Sequence, residues 1–263
     1  MQYAECRVPE DTAYLIVLGD LHIGDKCFTK NSQKKLKGYI DWVKERPNAR
    51  VFLNGDLLNC ATRTSKSNPL EQNLTLQDQE KKVIDYLFPI KSQIIGAIDG
   101  NHEQRILEFA GYSPTYSVCR ELNIPYLGAS AVVKFMVGTR DKGKGRTNIS
   151  QSYIGYFHHT TGGGNSAGGK LNRVDKLRLL FGNADFYCGS HNHMLGVAVT
   201  EIPCCDKWGK RIYILRQFII DCGGFLEWNN SYAERRQLPP MRIGAPRIRL
   251  DGSKHSKDIH VSL

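Results

Sequence analysis

The sequence lacks any long hydrophobic segment and any export signal. No apolar run approaches the roughly 20 residues that span a bilayer, so we expect no transmembrane helix and no membrane partner. Residues 1–11 lack the basic and then apolar pattern of a signal peptide, which leads us to expect a cytoplasmic protein. The chain also has no internal repeat and no low-complexity tract, and we interpret residues 1–263 as a single domain.

A Cys-x-x-Cys pair is also absent. The eight cysteines are scattered, and in a chain of this size without an export signal we expect reduced thiols rather than a disulfide framework. The alternative is a structural zinc site with ligands drawn from Cys188, His191, His193, Cys204 and Cys205. That alternative is weak, because it leaves the polar motifs of the first half of the chain unexplained.

Positive charge is present in excess. Lys and Arg number 36 against 26 Asp and Glu, which gives a formal net charge of +10. This balance favours a polyanionic partner, with nucleic acid as the first candidate, and a generally basic surface without a binding face is the alternative. The basic run at residues 140–146 is rich in glycine, and we interpret it as a solvated hairpin tip.

Three apolar runs in the first half of the chain each end in polar residues. They cover residues 14–20, 51–56 and 94–101, and their continuity is typical of strands buried on both faces. Helical patterns separate them, with apolar side chains at Leu36, Tyr39, Ile40 and Val43 and then at Val83, Ile84, Leu87 and Phe88. This alternation predicts an α/β layer with crossover connections.

The second half of the chain has more predicted strand and less predicted helix. Strands are predicted over residues 131–137, 152–158, 186–188 and 212–220, with one helix over 171–181. This pattern predicts a second sheet facing the first. We expect the long polar segment at 61–76 to form a lid, and the polar tail from about residue 229 to wrap the surface.

Side chains that bind metals recur where the predicted strands end. They are Asp20 and His22, then Asp56, then Asn101 and His102, then the pair His158 and His159, and finally His191 and His193. Each has an ordinary alternative when taken alone, such as a turn residue or, for Asn101, the N-cap of a helix over 103–109. Ligands bind beyond the carboxyl ends of strands in open α/β sheets. Together the set therefore suits two metal ions with positions open for water and substrate.

In this order the motifs resemble those of the calcineurin-like metallophosphoesterase superfamily. Residues 19–22 (Gly-Asp-Leu-His), 55–56 (Gly-Asp) and 100–103 (Gly-Asn-His-Glu) match closely, and the resemblance covers residues 14 to 200. The stretch His-His-x-x-Gly-Gly-Gly and residues 231–234 are similar to phage-encoded members. Two positions depart from the family pattern, Ser190 as an insertion and Thr160 in place of glycine. The resemblance implies an α/β fold, a four-layer α-β-β-α sandwich with two facing mixed sheets.

The resemblance also implies two divalent metal ions and a role for each ligand. The first ion would take Asp20, His22, Asp56 and His193, and the second would take Asp56, Asn101, His159 and His191. Asp56 would thus bridge the ions, and His158 remains an alternative to His159. The catalytic residues would be His102, which protonates the leaving oxygen or stabilises charge, and Asp20, which orients it. Mn²⁺ is the favoured metal, with Zn²⁺ or Fe as alternatives.

The activity implied is hydrolysis of phosphate esters by a water that the two metal ions activate. The net charge favours a phosphodiesterase acting on nucleic acid. The alternatives are a phosphomonoesterase for proteins, nucleotides or small molecules, and a non-catalytic binding module of the same fold. Basic residues near the motifs are the candidate phosphate contacts: Arg63, Lys66, Arg105, Lys170 and Arg173. No protein partner is indicated.

Overall fold

The computed structural model describes residues 1–62, 65, 69–139, 150–162, 164–206 and 208–263. Within these ranges the strands are β1 (Gln2–Val8), β2 (Thr12–Leu18), β3 (Ala49–Asn54), β4 (Ile94–Ile98), β5 (Ser130–Val137), β6 (Gln151–His159), β7 (Phe186–Ser190), β8 (Leu195–Cys205), β9 (Ile212–Cys222), β10 (Arg247–Asp251) and β11 (Asp258–Ser262). The α-helices are α1 (Lys30–Lys44), α2 (Leu76–Leu87), α3 (Asn101–Ala110), α4 (Pro114–Leu122), α5 (Ala167–Asp175) and α6 (Tyr232–Arg235). Short 3₁₀ helices cover Pro69–Glu71, Phe88–Gln93 and Lys176–Leu179.

The strands form two mixed sheets. One has the order β1-β5-β6-β7-β9-β8, and the other has the order β11-β10-β2-β3-β4. Strands β2, β3 and β4 run parallel to one another, and so do β6, β7 and β9. Each sheet therefore presents three carboxyl ends along one edge. The prediction of an α/β fold with two mixed sheets is confirmed.

The core lies in three apolar layers that define the stacking. Between the sheets, Phe52 of β3 stacks on Phe157 of β6 with ring centroids 3.9 Å apart. Helices α1, α2 and α4 cover the outer face of the five-stranded sheet, and α5 covers the outer face of the six-stranded sheet, where Val174 packs against Tyr156. The order is helix, sheet, sheet, helix, as expected for a four-layer sandwich.

The end of the chain differs from the prediction. The polar pattern from about residue 229 predicts a tail that wraps the surface, but β10 pairs antiparallel with β2 and β11 pairs with β10, so the tail supplies two strands of a sheet. Ile248 and Leu250 of β10 face the core between the sheets, while Arg247 and Arg249 alternate with them on the outer face. A strand with one solvated face contains many polar residues, which explains why the pattern suggested a loop.

Parts of the expected surface features lie outside the described residues. These are residues 63, 64 and 66–68 of the predicted lid and the whole basic run 140–146. Thr75 caps α2 by accepting a hydrogen bond from the amide of Asp78. The lid itself stays a prediction. Among the helices that the structure describes, none has the length and apolar content to cross a membrane.

Candidate metal centre

The carboxyl edges of the two sheets meet at one place. At the end of β3, Asn54 donates from Nδ2 to Oγ of Ser190, which ends β7, at 2.7 Å. The carbonyl of Asn54 accepts from Nδ1 of His159, which ends β6, at 3.0 Å. Just after β2, Oδ2 of Asp20 accepts from the amide of His191 at 2.7 Å. These contacts bring together the loops that carry six of the seven predicted metal ligands. The loop of Asn101 joins them through the amide of His102, which donates to Oδ1 of Asp56 at 2.9 Å.

One group in this cluster contains Asp20, His22 and His193. The Nε2 atoms of the two imidazoles lie 3.2 Å apart, and the rings stack with centroids 4.9 Å apart. Oδ1 of Asp20 lies 3.8 Å from Nε2 of His22 and 3.9 Å from Nε2 of His193. One atom from each residue therefore faces a common point, and these three residues could hold a metal ion.

A second group contains Asp56, His159 and His191. Oδ2 of Asp56 lies 3.2 Å from Nε2 of His159. Oδ1 of Asn101 lies 3.0 Å from Nε2 of His159 and 2.5 Å from Nδ1 of His191, so the amide oxygen completes this group. Oδ2 of Asp56 is also 3.7 Å from Nε2 of His22 in the first group. A third group that could hold a metal ion contains His22, Asp56 and His102, so Asp56 belongs to two of the three groups among the described residues, and the division of ligands between two ions stays a prediction.

The first group has the properties of a cation site. Oδ1 of Asp20 is buried and has no hydrogen-bond partner among the described residues, and burial raises the pKa of this carboxyl well above its usual range. Burial also lowers the pKa of His22 well below its usual range and that of His193 to about 3, so both imidazoles are neutral. Neutral imidazoles are the form that binds divalent metals, and a cation bound here would displace the proton that burial favours on Asp20, so the residues fit such an ion.

The second group carries charge of both signs. Burial opposes charge on His159, but the nearby Asp56 carboxylate outweighs it and raises the pKa of this imidazole to about 10. Burial likewise opposes charge on Asp56, and His159 and His102 nevertheless hold the pKa of this carboxyl well below its usual range. Asp56 is therefore ionised and available as a charged ligand at neutral pH.

The backbone of the cluster is strained. Five of the predicted ligands adopt the left-handed region that non-glycine residues avoid, with φ of 50° at Asp20, 47° at His22, 50° at Asp56, 82° at His191 and 52° at His193. Such conformations cost on the order of 1–3 kcal/mol each and concentrate at functional sites. The cluster therefore forms at a cost in local stability.

Glu103 connects the second and third motifs. Its buried carboxylate accepts from the amides of Asp56 at 3.0 Å, Leu58 at 2.9 Å and Gly100 at 3.1 Å. A Cβ at Gly100 would collide with the Asp56 carboxylate, so only glycine permits this approach. Glu103 is the residue that closes the first turn of α3.

Asn101 is not the cap of the third-motif helix. The alternative interpretation made it the N-cap, but Gly100 occupies that position and Asn101 is the first residue of α3. The side chain of Asn101 is thereby released from the helix end and lies between His159 and His191. Asn101 therefore does not serve as the helix cap, which was the alternative to a role in metal binding.

The two departures from the family pattern contact each other. Oγ1 of Thr160 donates to the carbonyl of Ser190 at 2.6 Å, and Oγ of Ser190 accepts from Asn54. These side chains join the ends of β6, β7 and β3. His191 and His193, which follow Ser190, reach the cluster.

A buried polar network supports the last pair of histidines. Asn192, between His191 and His193, donates from Nδ2 to Oδ2 of Asp221 at 3.0 Å. The buried ammonium of Lys170 donates to the carbonyl of Asn192 at 2.9 Å. Burial raises the pKa of Asp221 to about 7 and lowers the pKa of Lys170. These contacts fix the backbone between the two imidazoles, a role for Lys170 that the sequence did not indicate.

The other predicted phosphate contacts are placed differently. Arg105 lies on α3 near Cys60, and its Nη1 is buried with no hydrogen-bond partner among the residues described. Arg173 lies half-buried near the end of α5. Arg63 and Lys66 lie outside the described residues. A phosphate contact by any of these residues stays a prediction.

His102 stands at the rim of the cluster. Its Nδ1 lies 2.5 Å from the carbonyl of Asn59, which accepts a proton only and so places hydrogen on Nδ1. Its Nε2 lies 3.9 Å from Oδ2 of Asp56. The resemblance implies that Asp20 orients this ring, but the structure gives that position to Asn59, and Asp20 contacts His22, His191 and His193 instead. The correction arises because a backbone carbonyl has no sequence signature.

The structure separates the two adjacent histidines of β6. Consecutive side chains in a strand point to opposite faces. His159 lies in the cluster, and His158 lies beside Tyr156 on the other face with ring centroids 6.4 Å apart. Of the pair, only His159 contacts the other predicted ligands within the described structure.

Sequence reasoning missed several supporting residues. They are Asn54, Asn59, Asn192 and Asp221. Asp221 had a usable signal, because it follows the apolar run 212–220 as the other acids follow theirs. The groups that could hold a metal contain no cysteine among the residues described, and Cys205 is exposed on the β8–β9 hairpin. This arrangement disfavours the structural zinc alternative.

Comparison with known proteins leaves the family open. No family model matches the chain, and no curated protein matches it. Among solved structures, the NAD nucleotidase NadN of Haemophilus influenzae is similar over 96% of this chain and 49% of that chain, with 9% sequence identity and a TM-score of 0.43. The chain therefore spans about half of that protein. Nothing about the activity of this chain follows from a likeness at this level.

Proposed function

We propose that this chain is a metal-dependent phosphoesterase, and specifically a phosphodiesterase that acts on nucleic acid. One observation carries the proposal: Asp56 belongs to two of the three groups of side chains that could hold a metal ion among the described residues, and Nε2 of His102 lies 3.9 Å from Oδ2 of this carboxylate at the rim. A structural metal site needs no such histidine. A catalytic site that cleaves an ester needs a proton donor beside its metals.

Each side chain has a task in this proposal. Asp20, His22 and His193 would hold one divalent cation, Asn101, His159 and His191 would hold a second, and Asp56 would touch both. Bound there, two cations supply positive charge to the phosphate oxygens and lower the pKa of water toward neutrality. The Lys170–Asn192–Asp221 network keeps the two later histidines in place, and Glu103 does the same for Asp56.

His102 would act on the leaving oxygen. The Asn59 carbonyl holds the Nδ1 proton and fixes the plane of the ring, so Nε2 is the atom that gives or takes a proton. The ring is half-buried and lies against His22 with centroids 4.5 Å apart. A donor in this position favours substrates whose leaving group is a poor one, such as the sugar oxygen of a polynucleotide.

The formal net charge of +10 supports nucleic acid as the substrate. A monoester phosphatase and a binding module without activity are the outcomes that would oppose this proposal. The ligand set includes imidazole, carboxylate and amide oxygen without thiolate, which suits Mn²⁺, Zn²⁺ or Fe. We propose Mn²⁺ as the first metal to test.

The decisive experiment is a metal-dependent substrate panel. Protein stripped with chelator should not hydrolyse bis-nitrophenyl phosphate, and Mn²⁺ should restore hydrolysis. Single-stranded DNA and RNA should be cleaved under the same conditions, and nitrophenyl phosphate should be hydrolysed more slowly than the diester. Full activity after metal removal would overturn the metal-dependent mechanism. Fast monoester hydrolysis without polynucleotide cleavage would support the phosphomonoesterase instead.

A further inference from the structure

A second polar and aromatic site lies away from the metal cluster. On the outer face of the five-stranded sheet, a cavity of about 320 Å³ lies between α1 and the strands β2, β10 and β11. Its lining consists of Tyr14, Trp42, Arg247, Arg249, His260 and Ser262. This volume is at the lower end for small-molecule sites and is sufficient for one nucleobase with its sugar. The walls combine two aromatic rings with two guanidinium groups.

The cavity continues into a row of cations and rings along α1. Trp42 has the guanidinium of Arg46 at 4.3 Å and that of Arg247 at 5.1 Å from its ring centroid. Tyr39, about one turn earlier, has Arg247 at 5.9 Å and the ammonium of Lys35 at 5.7 Å. All four distances are within the range of cation–π contact. We refer to Lys35, Tyr39, Trp42, Arg46 and Arg247, together with the cavity, as the α1 track.

The positive charge of the α1 track is only partly compensated. Arg249 contacts Asp258 at 3.6 Å, and Arg46 contacts Glu45 at 3.3 Å. In contrast, Arg247 and Lys35 make no ion pair with a carboxylate within the described structure, and both are exposed. Paired arginines are already satisfied, whereas these two cations face solvent beside an aromatic wall. This combination favours an anionic ligand with a flat ring system.

Buried contacts connect the α1 track to the metal cluster. Oη of Tyr39 donates to the carbonyl of Ala245 at 2.9 Å, and the neighbouring Gly244 donates its amide to the carbonyl of Gly224 at 3.0 Å. A Cβ on Gly224 would lie 2.9 Å from Nδ1 of His193. Tyr39, Gly224, Gly244 and Ala245 are all buried, so this connection runs through the interior and relates the α1 track to a predicted metal ligand by packing.

The strand register gives the scale of this separation. Arg247 pairs with Ile16 of β2, four residues before Asp20, and Arg249 pairs with Tyr14, six residues before it. At roughly 3.3 Å per residue the cavity lies about 13–20 Å from the metal cluster. A short stretch of single-stranded nucleic acid spans this distance, whereas a mononucleotide does not.

We infer that the α1 track binds single-stranded nucleic acid, with phosphates on Arg247 and Lys35 and a base stacked in the cavity on Trp42. The edge of this base would face Tyr14, whose ring stands at 89° to that of Trp42. Aromatic platforms combined with a basic groove are how proteins hold single strands without reading sequence. The inference rests on the proposed function for its biological purpose, which is to hold the nucleotides that flank the cleaved bond. The binding itself requires no metal and no catalysis.

The test measures affinity in the absence of turnover. Full-length protein in chelator is titrated with a labelled oligothymidine of about 12 nucleotides, and the titration is repeated across a salt series. The substitution Trp42→Leu removes one stacking surface and should weaken binding about tenfold. The substitution Arg247→Ala, at an exposed position, should also weaken binding. It should reduce the magnitude of the slope of log affinity against log salt by about 0.7, the value for one phosphate contact on a single strand.

The control variant removes the same charge at a distance. Arg120→Ala changes an exposed arginine on α4, on another part of the helical layer, and should leave both affinity and salt slope at the wild-type values. Thermal unfolding of each variant identifies a folding defect. If Trp42→Leu does not fold, the exposed Arg247→Ala still tests the inference. Equal losses in Arg247→Ala and Arg120→Ala would show a general charge effect and overturn it.

Two further measurements distinguish a failure of this inference from a failure of the proposed function. Polyglutamate should compete poorly, because it offers charge without rings, and equal competition would contradict base stacking. Wild-type protein that hydrolyses bis-nitrophenyl phosphate but does not bind oligothymidine refutes the track and leaves the phosphoesterase intact. Protein that binds oligothymidine through Trp42 but hydrolyses no ester with any metal refutes the phosphoesterase and leaves the track intact.

Discussion

Oδ2 of Asp56 lies 3.2 Å from Nε2 of His159, although 103 residues separate them in the chain. The two residues come from different sheets, Asp56 after β3 and His159 at the end of β6. Their contact closes the gap between the sheets at the carboxyl edge. Asp56 therefore contacts His159 of the second group, and it also lies near His22 of the first group.

Asp56→Asn tests the position of this carboxylate. The substitution keeps the shape but removes the charge that would be shared by two cations, so hydrolysis of bis-nitrophenyl phosphate should be abolished. Elemental analysis after metal loading should find less metal than in the wild type. Asp85→Asn, an exposed position on α2, is the matched control and should change neither. A full metal complement in Asp56→Asn would assign the shared position to another residue.

His102→Gln separates proton donation from metal binding. Metal content should stay at the wild-type level, and turnover should fall by roughly two to four orders of magnitude, the range for losing a general acid. The loss should be smaller for nitrophenyl esters, whose leaving group needs little protonation. The exposed His255→Gln serves as control. An equal loss for good and poor leaving groups would favour charge stabilisation by His102 over proton transfer.

The adjacent histidines of β6 offer an internal comparison. His159→Ala should reduce both bound metal and activity, because its imidazole contacts Asp56 and Asn101. His158→Ala should have a much milder effect, since this ring lies on the opposite face of the strand beside Tyr156. Metal titration of both variants decides the matter, and a larger loss in His158→Ala would show that the other face of β6 carries the ligand.

Glu103→Gln tests the support beneath Asp56. A neutral amide cannot accept three amide hydrogen bonds as the carboxylate does, so we expect a loss of stability of about 1–3 kcal/mol in denaturant unfolding of the metal-free protein. Metal affinity should fall as well, because the loop carrying Asp56 loosens. The exposed Glu108→Gln on the same helix is the control. Unchanged stability in Glu103→Gln would mean that the three hydrogen bonds contribute little.

Lys170→Met distinguishes two roles for one residue. If Lys170 positions the His191–His193 loop, metal affinity should fall about 10- to 100-fold, as for other outer supports of metal ligands. If it contacts phosphate instead, metal affinity should persist and KM should rise. Isothermal titration with Mn²⁺ gives the first quantity and steady-state kinetics the second. Lys81→Met, exposed on α2, provides the comparison for loss of a surface charge.

Much of the candidate site could be predicted from local patterns. Apolar runs that end in acids and histidines follow from strands buried on both faces, and parallel strands place those ends at one edge. This is why local sequence alone is enough to group Asp20, Asp56 and Asn101. The second sheet was also indicated, although β1, β8 and α4 were missed because neither strand is a continuous apolar run and the helix is short.

The sequence by itself determined the kinds of side chain available and their order at the strand ends. Only the tertiary structure decided which of them meet: His159 rather than His158, Asn59 rather than Asp20 beside His102, and Lys170 directed at Asn192 rather than at solvent. It also turned the tail into β10 and β11 and so formed the cavity beside Trp42. The physical reason is that periodicity records only which face of an element is buried. Contacts between distant loops depend on backbone carbonyls, left-handed residues and strand pairing, which leave little trace in local sequence.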